Sequence, residues 1–268
     1  MPSYRLKRKV LVVIPWLAAG AQGRELEYAV AGWRRHFKED YLIVLTGNDG
    51  HPVLNTGKDI TWIPSERVPD VKGQYRQHLD YVSCLRKVHA AFPEHQGFVM
   101  VADDCYAVND FDIADILFLK QQKSNMDEYS TDSTNGWQRD KAKTREKLRE
   151  LGYPTRNFTT HLPQYYEWDR LEMLWEDFGM DRSSYVMEDL YYNIFFRGRI
   201  PFTLNLERDN LKCGIYRSNP RIPVIESAFK NKIWITNSPD GWIPELDRML
   251  DEYYFKRPYE SPPSYRNE

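Results

Sequence analysis

Two adjacent carboxylates follow a short apolar run in the middle of the chain. The run is Phe98–Ala102, and Asp103 and Asp104 come directly after it. Adjacent aspartates repel each other and resist desolvation, so at the rim of a core they need a cation, hydrogen-bond donors or water. Carboxylate oxygens bind Mg²⁺ or Mn²⁺, usually one or two of them together with substrate phosphates. The alternative is a turn in which an aspartate caps a helix or accepts backbone hydrogen bonds.

Three other places carry residues that could do chemistry. His161 lies in "TTHLP", between two threonines and a proline, and a lone histidine is either structural or a ligand. Glu188 and Asp189 stand at the start of a helical pattern, where two acids pair with the helix dipole or one of them removes a proton from a hydroxyl. Arg76 either pairs with an anionic diphosphate or forms a surface salt bridge.

The elements that must position these residues alternate between strand and helix over the first hundred residues. Apolar runs predict four strands, at Lys9–Ile14, Tyr41–Thr46, Asp59–Ser65 and Phe98–Ala102. Helical spacing predicts helices between them, from Leu26 to Phe37 and from about Gln74 to Ala91. This order predicts an α/β fold with a mostly parallel, Rossmann-like sheet flanked by helices. Ligands of such sheets bind at the carboxyl ends of the strands, which is where the two aspartates fall.

Contacts to a nucleotide are predicted at the same edge of the sheet. The candidates end the first two strands or open the next helix, and they are Pro15, Trp16, Asn48, Asp49, Gln74, Arg76 and Gln77. For Arg76 the start of the helix adds its dipole to the attraction for phosphate. Asn48 and Asp49 alternatively only shape the turn after the second strand.

The second half of the chain is more polar at first and then helical again. The segment 139–156 is rich in Lys and Arg and predicts an exposed helix or mobile arm, which is either a solvated face or a groove for an anionic acceptor. Pro163 suits the start of a helix that ends near Gly179, and Val186, Leu190 and Ile194 predict another. We expect one domain over residues 1–257, with a nucleotide-binding half at 9–120, an acceptor-side half at 157–257, and a tail at 258–268.

Composition excludes several classes of protein. The net charge of −2 gives no global attraction to nucleic acid or membrane, so any polyanion must bind a local patch. Three scattered cysteines argue against a disulfide framework and favour the cytoplasm. The apolar run near the N-terminus is too short to span a bilayer, so we expect no membrane span. GxGxxG, Walker A, HExxH and GxSxG motifs are all missing from the sequence.

The sheet pattern and the aspartate pair resemble the GT-A glycosyltransferases over roughly residues 9–205. That family places a DxD motif at the end of a central strand, and the corresponding stretch here is Ala102-Asp103-Asp104, with alanine at the position of the first acid. The resemblance implies a nucleotide-sugar donor, with UDP favoured over GDP or CMP, and Mn²⁺ or Mg²⁺. It implies Asp104 as the metal ligand and Asp103 as its partner, or as a contact to ribose or to metal-bound water.

Later blocks are similar to those of the Stealth family of hexose-phosphate transferases. The blocks run in the same order, and they are "ADDCYAVNDFD", "THLP", "ITNSPDGWIPELDRML" and "FKRPYESP". Within these resemblances His161 is implied as a metal or phosphate ligand. "MEDLYYNIF" resembles the helix start that carries the base of many inverting GT-A enzymes, so Glu188 or Asp189 removes the acceptor proton, and we prefer Asp189.

The expected protein is therefore a metal-dependent glycosyltransferase that acts on an acceptor hydroxyl. The acceptor stays open between a glycan and a hydroxymethylated DNA base, which the basic segment 139–156 would hold by its phosphates. A Stealth-type transferase of hexose 1-phosphate is an alternative, since it shares the blocks but attacks phosphorus. A non-catalytic module that binds nucleotides or glycans is an alternative of another class.

Overall fold

The computed structural model describes residues 9–17, 20–48, 52, 54, 60–70, 72 and 75–256. Asp49, Gln74 and the tail at 258–268 lie outside the described residues, as does the side chain of Asn48. The strands are β1 (Val10–Leu17), β2 (Tyr41–Asn48), β3 (Ile60–Pro64), β4 (Gly97–Met100), β5 (Cys105–Ala107), β6 (Lys120–Gln121), β7 (Gln164–Glu167), β8 (Phe202–Thr203), β9 (Lys212–Ile215) and β10 (Trp234–Asn237). The α-helices are α1 (Glu25–His36), α2 (Arg76–Ala91), α3 (Ile113–Leu117), α4 (Gly136–Glu150), α5 (Trp168–Asp177), α6 (Met187–Phe195), α7 (Ile222–Asn231) and α8 (Pro244–Asp251).

A five-stranded sheet in the order β3-β2-β1-β4-β7 forms the centre of the fold. The first four of these strands are parallel, and β7 pairs with β4 in the antiparallel direction. All four strands that the apolar runs predict are present. The predicted class, an α/β protein with a mostly parallel sheet between helices, is confirmed.

The side chains of β1 alternate between two apolar layers, as the pleat of a strand requires. Val12 and Ile14 pack in one layer with Trp33 of α1, whereas Leu11 and Val13 pack in the other, together with α2. Because both faces of β1 are covered by helices, the strand is apolar throughout instead of alternating with polar residues. The helices thus fix the carboxyl edge of the sheet from both sides.

A second sheet, in the order β5-β10-β9, was not predicted from the sequence. Strand β5 starts at Cys105, five residues after β4 ends at Met100. Helix α1 lies between the two sheets, since Trp33 faces the first and Tyr28 packs with Tyr106 of the second. Asp103 and Asp104 therefore occupy the corner at which the chain passes from one sheet to the other.

Strand β7 corrects the prediction that Pro163 starts a helix. The residues after Pro163 form an edge strand, and α5 begins only at Trp168. Two tyrosines of α6 cover backbone groups of this edge: the hydroxyl of Tyr192 donates to the carbonyl of Tyr165 (2.7 Å), and the hydroxyl of Tyr191 accepts from the N–H of Glu167 (2.9 Å). Covering an edge in this way keeps it from pairing with another chain.

Helix α4 corrects the prediction of an exposed helix or mobile arm at 139–156. Its Lys141 is fully buried and pairs with the fully buried Asp189 of α6 at 2.5 Å. Arg139, Arg145 and Arg149 all have partners within the protein, either backbone carbonyls or an aspartate. The helix thus packs against its neighbours. These three arginines bind groups of the protein itself and do not line an open basic groove.

The carboxyl ends of β1 and β2 approach too closely for a side chain at Gly47. A Cβ atom added there would lie 1.8 Å from the carbonyl oxygen of Trp16. We expect Gly47→Ala to lower the free energy of unfolding by about 1–3 kcal/mol, since the two strands must separate. Urea denaturation measures this, with Gly198→Ala as the control because nothing lies within 4 Å of a Cβ there. Equal stabilities of the two variants would contradict the prediction.

The Lys141–Asp189 pair predicts a large effect when one partner is removed. Lys141→Met leaves the Asp189 carboxylate buried without its cation, and breaking such a pair costs about 3–5 kcal/mol. The exposed Lys147–Glu150 pair is the control, because Lys147→Met should change the free energy of unfolding by about 1 kcal/mol or less. The prediction fails if chemical denaturation gives both variants the same loss.

Candidate active site

Asp103 and Asp104 lie in the turn between β4 and β5, at the carboxyl edge of the central sheet. Both side chains are half-buried, and one carboxylate oxygen of Asp104, Oδ1, is buried without a hydrogen-bond partner. Burial of the carboxyl raises the pKa of Asp104 to about 7, and the nearby Glu25 adds to this while Lys212 opposes it. Burial, Asp104 and Glu25 together hold the pKa of Asp103 well above its usual value. The turn is thus a place where a cation would relieve repulsion.

Glu25 completes this acidic group from the start of α1, and the sequence did not single it out. Its Oε1 accepts a hydrogen bond from Nδ2 of Asn237 (2.6 Å), whose Oδ1 accepts one from the hydroxyl of Tyr106 (2.6 Å). The N–H of Asn237 also donates to the carbonyl of Asp104 (3.3 Å). Asn237 therefore ties the aspartate turn to α1 and β10. The only signal for Glu25 was an acid at a helix start just beyond the first strand.

His161 lies on a strained turn at the same edge. With a φ of 54° it is the only residue other than glycine with positive φ among the described residues, and such strain is concentrated at functional sites. Its side chain reaches solvent, yet burial within the surrounding protein, then Lys212 and Lys141, lowers the pKa to about 3. The imidazole is therefore neutral at physiological pH.

The structure separates the two acids at the start of α6. Asp189 is fully buried, with Oδ2 on Lys141 and Oδ1 on the N–H of Phe158 (2.6 Å). Glu188 is half-buried, and burial, with a smaller contribution from Asp189, raises its pKa, which His78 and Lys141 oppose. The preference for Asp189 as the base is therefore corrected, because an acceptor cannot reach it, whereas Glu188 meets the solvent.

Tyr81 of α2 connects the acids of α6 with those of the aspartate turn. Its pKa is raised by burial first and then by the charges of Glu188, Asp103 and Asp104, so all three carboxylates are near enough to act on its hydroxyl. Its hydroxyl accepts from Nε2 of Gln77 (2.7 Å), one helical turn earlier. We group Tyr81, Asp103, Asp104 and Glu188 with His161, whose pKa Lys212 lowers as it does that of Asp104, and call these five residues the site cleft. Tyr81 was missed because one more tyrosine on a helical stripe carries no local signal.

The other residues predicted to contact a nucleotide make their contacts within the protein. Pro15 and Trp16 are half-buried at the end of β1, where the Trp16 ring meets that of Trp62 edge-on at 6.2 Å between centroids. Asn48 pairs with Leu17 through the backbone. Arg76 donates from Nε to the carbonyl of Val68 (2.8 Å) and pairs with Asp70 (3.0 Å), which agrees with the salt-bridge alternative.

The residues of the cleft can be tested for their fit to a metal ion. Among the described residues, no three or more His, Cys, Asp or Glu side chains are arranged to hold one, so Asp103, Asp104 and His161 do not form a ready three-ligand site. Oδ1 of Asp104 has no hydrogen-bond partner, and the negative charge of Glu25 raises the pKa of this carboxyl. Such an oxygen still fits a divalent cation that takes its other ligands from water and substrate phosphates. His161 fits a metal ion less well, since the positive charges of Lys212 and Lys141 reach its ring and lower its pKa further than burial alone does.

Comparison with known proteins gives likeness in structure only. No protein-family model and no curated protein matches the sequence. The chain is similar to a glycosyltransferase involved in the glycosylation of the major capsid of PBCV-1, with a TM-score of 0.43 and 10% identity over 92% of this chain and 99% of that one. It is also similar to the apo structure of the WbbM bifunctional glycosyltransferase, with a TM-score of 0.50 and 13% identity over 94% of this chain.

The aligned region makes up 50% of the WbbM chain, so this chain spans about half the length of that protein. At such identities the likeness concerns the fold alone. Among the described residues, none of the helices combines the length and the apolar character that crossing a membrane requires. A cytoplasmic location stays a prediction.

The raised pKa of Asp104 predicts how its removal changes stability with pH. The folded protein keeps this proton up to about pH 7, whereas the unfolded chain releases it near pH 4, so ionised Asp104 lowers stability increasingly as pH rises through that window. Without divalent cations, we expect Asp104→Asn to melt at a higher temperature than the wild type at pH 8, with the difference shrinking at pH 5.

A control shows what the loss of a structural aspartate does. Asp112 caps α3 by accepting from the N–H groups of Ala114 and Asp115, so Asp112→Ala should lower the free energy of unfolding by about 1 kcal/mol. If Asp104→Asn behaves like Asp112→Ala at pH 8, Asp104 is a turn cap and the cation-site interpretation is wrong.

Proposed function

We propose that this protein is a glycosyltransferase that moves a sugar from a nucleotide-sugar, a UDP-sugar by its family resemblance, to an acceptor hydroxyl. The observation that carries the proposal is the site cleft itself. It combines the unpartnered oxygen of Asp104, at the carboxyl edge of the sheet, with the half-buried Glu188, and the charges of both residues act on Tyr81. The likeness of the fold to WbbM supports the same reaction class.

Glu188 is the proposed general base. The acceptor oxygen attacks the anomeric carbon, the bond from that carbon to the diphosphate oxygen breaks, and the carboxylate of Glu188 takes the acceptor proton. Burial raises the pKa of Glu188, which moves the carboxyl toward the neutral range in which a base works best. Asp189 is the positioning residue, because its buried bonds to Lys141 and Phe158 fix the start of α6.

The donor is proposed to lie along the ends of β1 and β4. Pro15 and Trp16 would face the nucleoside, and Asp103 the ribose or a metal-bound water. Asp104 would hold Mn²⁺ or Mg²⁺, and when bound such a cation offsets the charge of the leaving diphosphate. His161, whose pKa is lowered by burial and then by the charges of Lys212 and Lys141, is better suited to a hydrogen bond with phosphate than to the metal.

A glycan is the acceptor that we favour over DNA. Three arginines of the basic segment have intramolecular partners, and Lys141 is buried in an ion pair, so few of its cations are left for phosphates. Binding to a hydroxymethylated duplex with a steep loss of affinity in salt would reverse this preference.

The decisive experiment is a donor panel with analysis of the products. With Mn²⁺, UDP-sugars and candidate glycans, we expect release of UDP and a new glycosidic bond, and we expect EDTA to abolish the reaction. Release of UMP with a phosphodiester product would instead establish hexose 1-phosphate transfer. Binding without any turnover would leave a non-catalytic module.

The role of Glu188 gives a kinetic prediction. Glu188→Gln keeps the shape of the side chain but cannot take a proton, so kcat should fall by about 10²–10⁴-fold while the affinity for UDP stays unchanged. Glu176→Gln, on the exposed side of α5, is the matched control and should keep the wild-type kcat. An unchanged kcat in Glu188→Gln would exclude this residue as the base.

A further inference from the structure

Tyr216, directly after β9, is an exposed aromatic residue beside the site cleft. It is 40% exposed, and the centre of its ring lies 6.2 Å from that of His161, which also meets solvent. The two ring planes are inclined by 52°, so His161 does not stack on Tyr216. A large aromatic side chain that stays open to water next to a candidate site is a surface on which a ligand can bury apolar area.

One face of the Tyr216 ring packs on the strand that precedes it. A Cβ atom added at Gly214 would lie 2.4 Å from the ring, and Nζ of Lys212 lies over the ring, 5.3 Å from its centre. Because glycine has no side chain, the ring can approach the backbone here. The hydroxyl of Tyr216 lies 3.3 Å from Oγ1 of Thr236, which is buried on β10. The ring is therefore held in place without a ligand, and its other face is left toward the solvent.

Strand pairing places this ring close to the aspartate turn. Thr236, which contacts the Tyr216 hydroxyl, pairs with Cys105, the residue directly after Asp104. The N–H of the next residue, Asn237, donates to the carbonyl of Asp104 (3.3 Å). Adjacent strands lie about 4.8 Å apart, so the tip of the Tyr216 side chain is one strand away from the turn that carries Asp104.

We propose that the open face of Tyr216 stacks on a sugar ring bound at the site cleft. A pyranose has an apolar face of C–H groups and a rim of hydroxyl groups, and an aromatic ring that is already fixed in place buries the apolar face at little cost in ordering. The residues proposed to face the nucleoside, Pro15 and Trp16, end β1 in the other sheet, which leaves Tyr216 for a sugar. The inference rests on the proposed function and adds a binding surface for the sugar itself.

The test compares sugar nucleotides and simple glycosides with the nucleotide alone. Calorimetric titration in Mn²⁺ gives the Kd of UDP, UDP-glucose and UDP-galactose, and NMR titration with UDP and Mn²⁺ present gives that of methyl glucoside and methyl galactoside. We expect Tyr216→Ala to raise the Kd of at least one of the sugar-containing probes by about 5–30-fold, with the Kd of UDP unchanged. A loss for a sugar nucleotide identifies the donor's sugar, and a loss for a methyl glycoside alone identifies a sugar of the acceptor.

Two further variants serve as controls. Tyr216→Phe keeps the ring and should bind every probe as the wild type does. Phe202→Ala removes a ring of the same exposure, 40%, from β8 and should also leave every Kd unchanged. If Tyr216→Ala does not fold, Tyr216→Leu takes its place, because leucine still covers Gly214 but offers no flat face.

The other outcomes separate this inference from the proposed function. Unchanged Kd values for all sugar-containing probes, equal losses for UDP and the sugar nucleotides, or a loss in Tyr216→Phe as large as that in Tyr216→Ala would each overturn the stacking role. A wild type that binds UDP and the sugar nucleotides but shows no effect of Tyr216→Ala leaves the proposed function standing. A wild type that binds neither UDP nor a sugar nucleotide in Mn²⁺ overturns the proposed function itself.

Discussion

The buried ion pair between Lys141 and Asp189 is the interaction on which the geometry of the site depends. Neither side chain meets solvent, so each charge is tolerable only because the other is in place. Lys141 also donates to Oδ1 of Asn157 (2.6 Å), and Asp189 accepts from the N–H of Phe158 (2.6 Å). One pair thereby joins α4, the start of α6 and the segment that leads to His161. A shift of any of these elements would leave a charge in the core without its partner.

Two pairs of adjacent acidic residues belong to the site or its support, Glu188–Asp189 and Asp103–Asp104. Successive residues of a helix point about 100° apart, so when Asp189 turns into the core, Glu188 faces elsewhere and meets the solvent. In the turn after β4 both aspartates are half-buried, and one oxygen of Asp104 has no hydrogen-bond partner. At the start of α6 a single carboxylate is accessible because Lys141 binds the other.

The cleft is electrostatically unfavourable without a ligand. Burial raises the pKa values of Asp103, Asp104 and Glu188, and neighbouring carboxylates add to each shift. Strongly perturbed groups of this kind are characteristic of functional sites, where stability is given up for binding. A divalent cation would supply the positive charge that these carboxylates lack, whereas a neutral glycan would not.

The sequence by itself determined the four parallel strands, their two helices and the position of Asp103 and Asp104 at the carboxyl edge. Those features are local, because β-branched runs and helical spacing are set by neighbours along the chain. Only the tertiary structure decided the rest. Glu25, Tyr81 and Lys212 come from distant elements, and strands of three or four residues such as β5, β9 and β10 are too short to show a period. The composition of helix α4 predicts a solvated helix, yet Lys141 is buried because Asp189 supplies its counter-charge. Asp189 lies 48 residues further along the chain, and no local sequence pattern indicates such a partner.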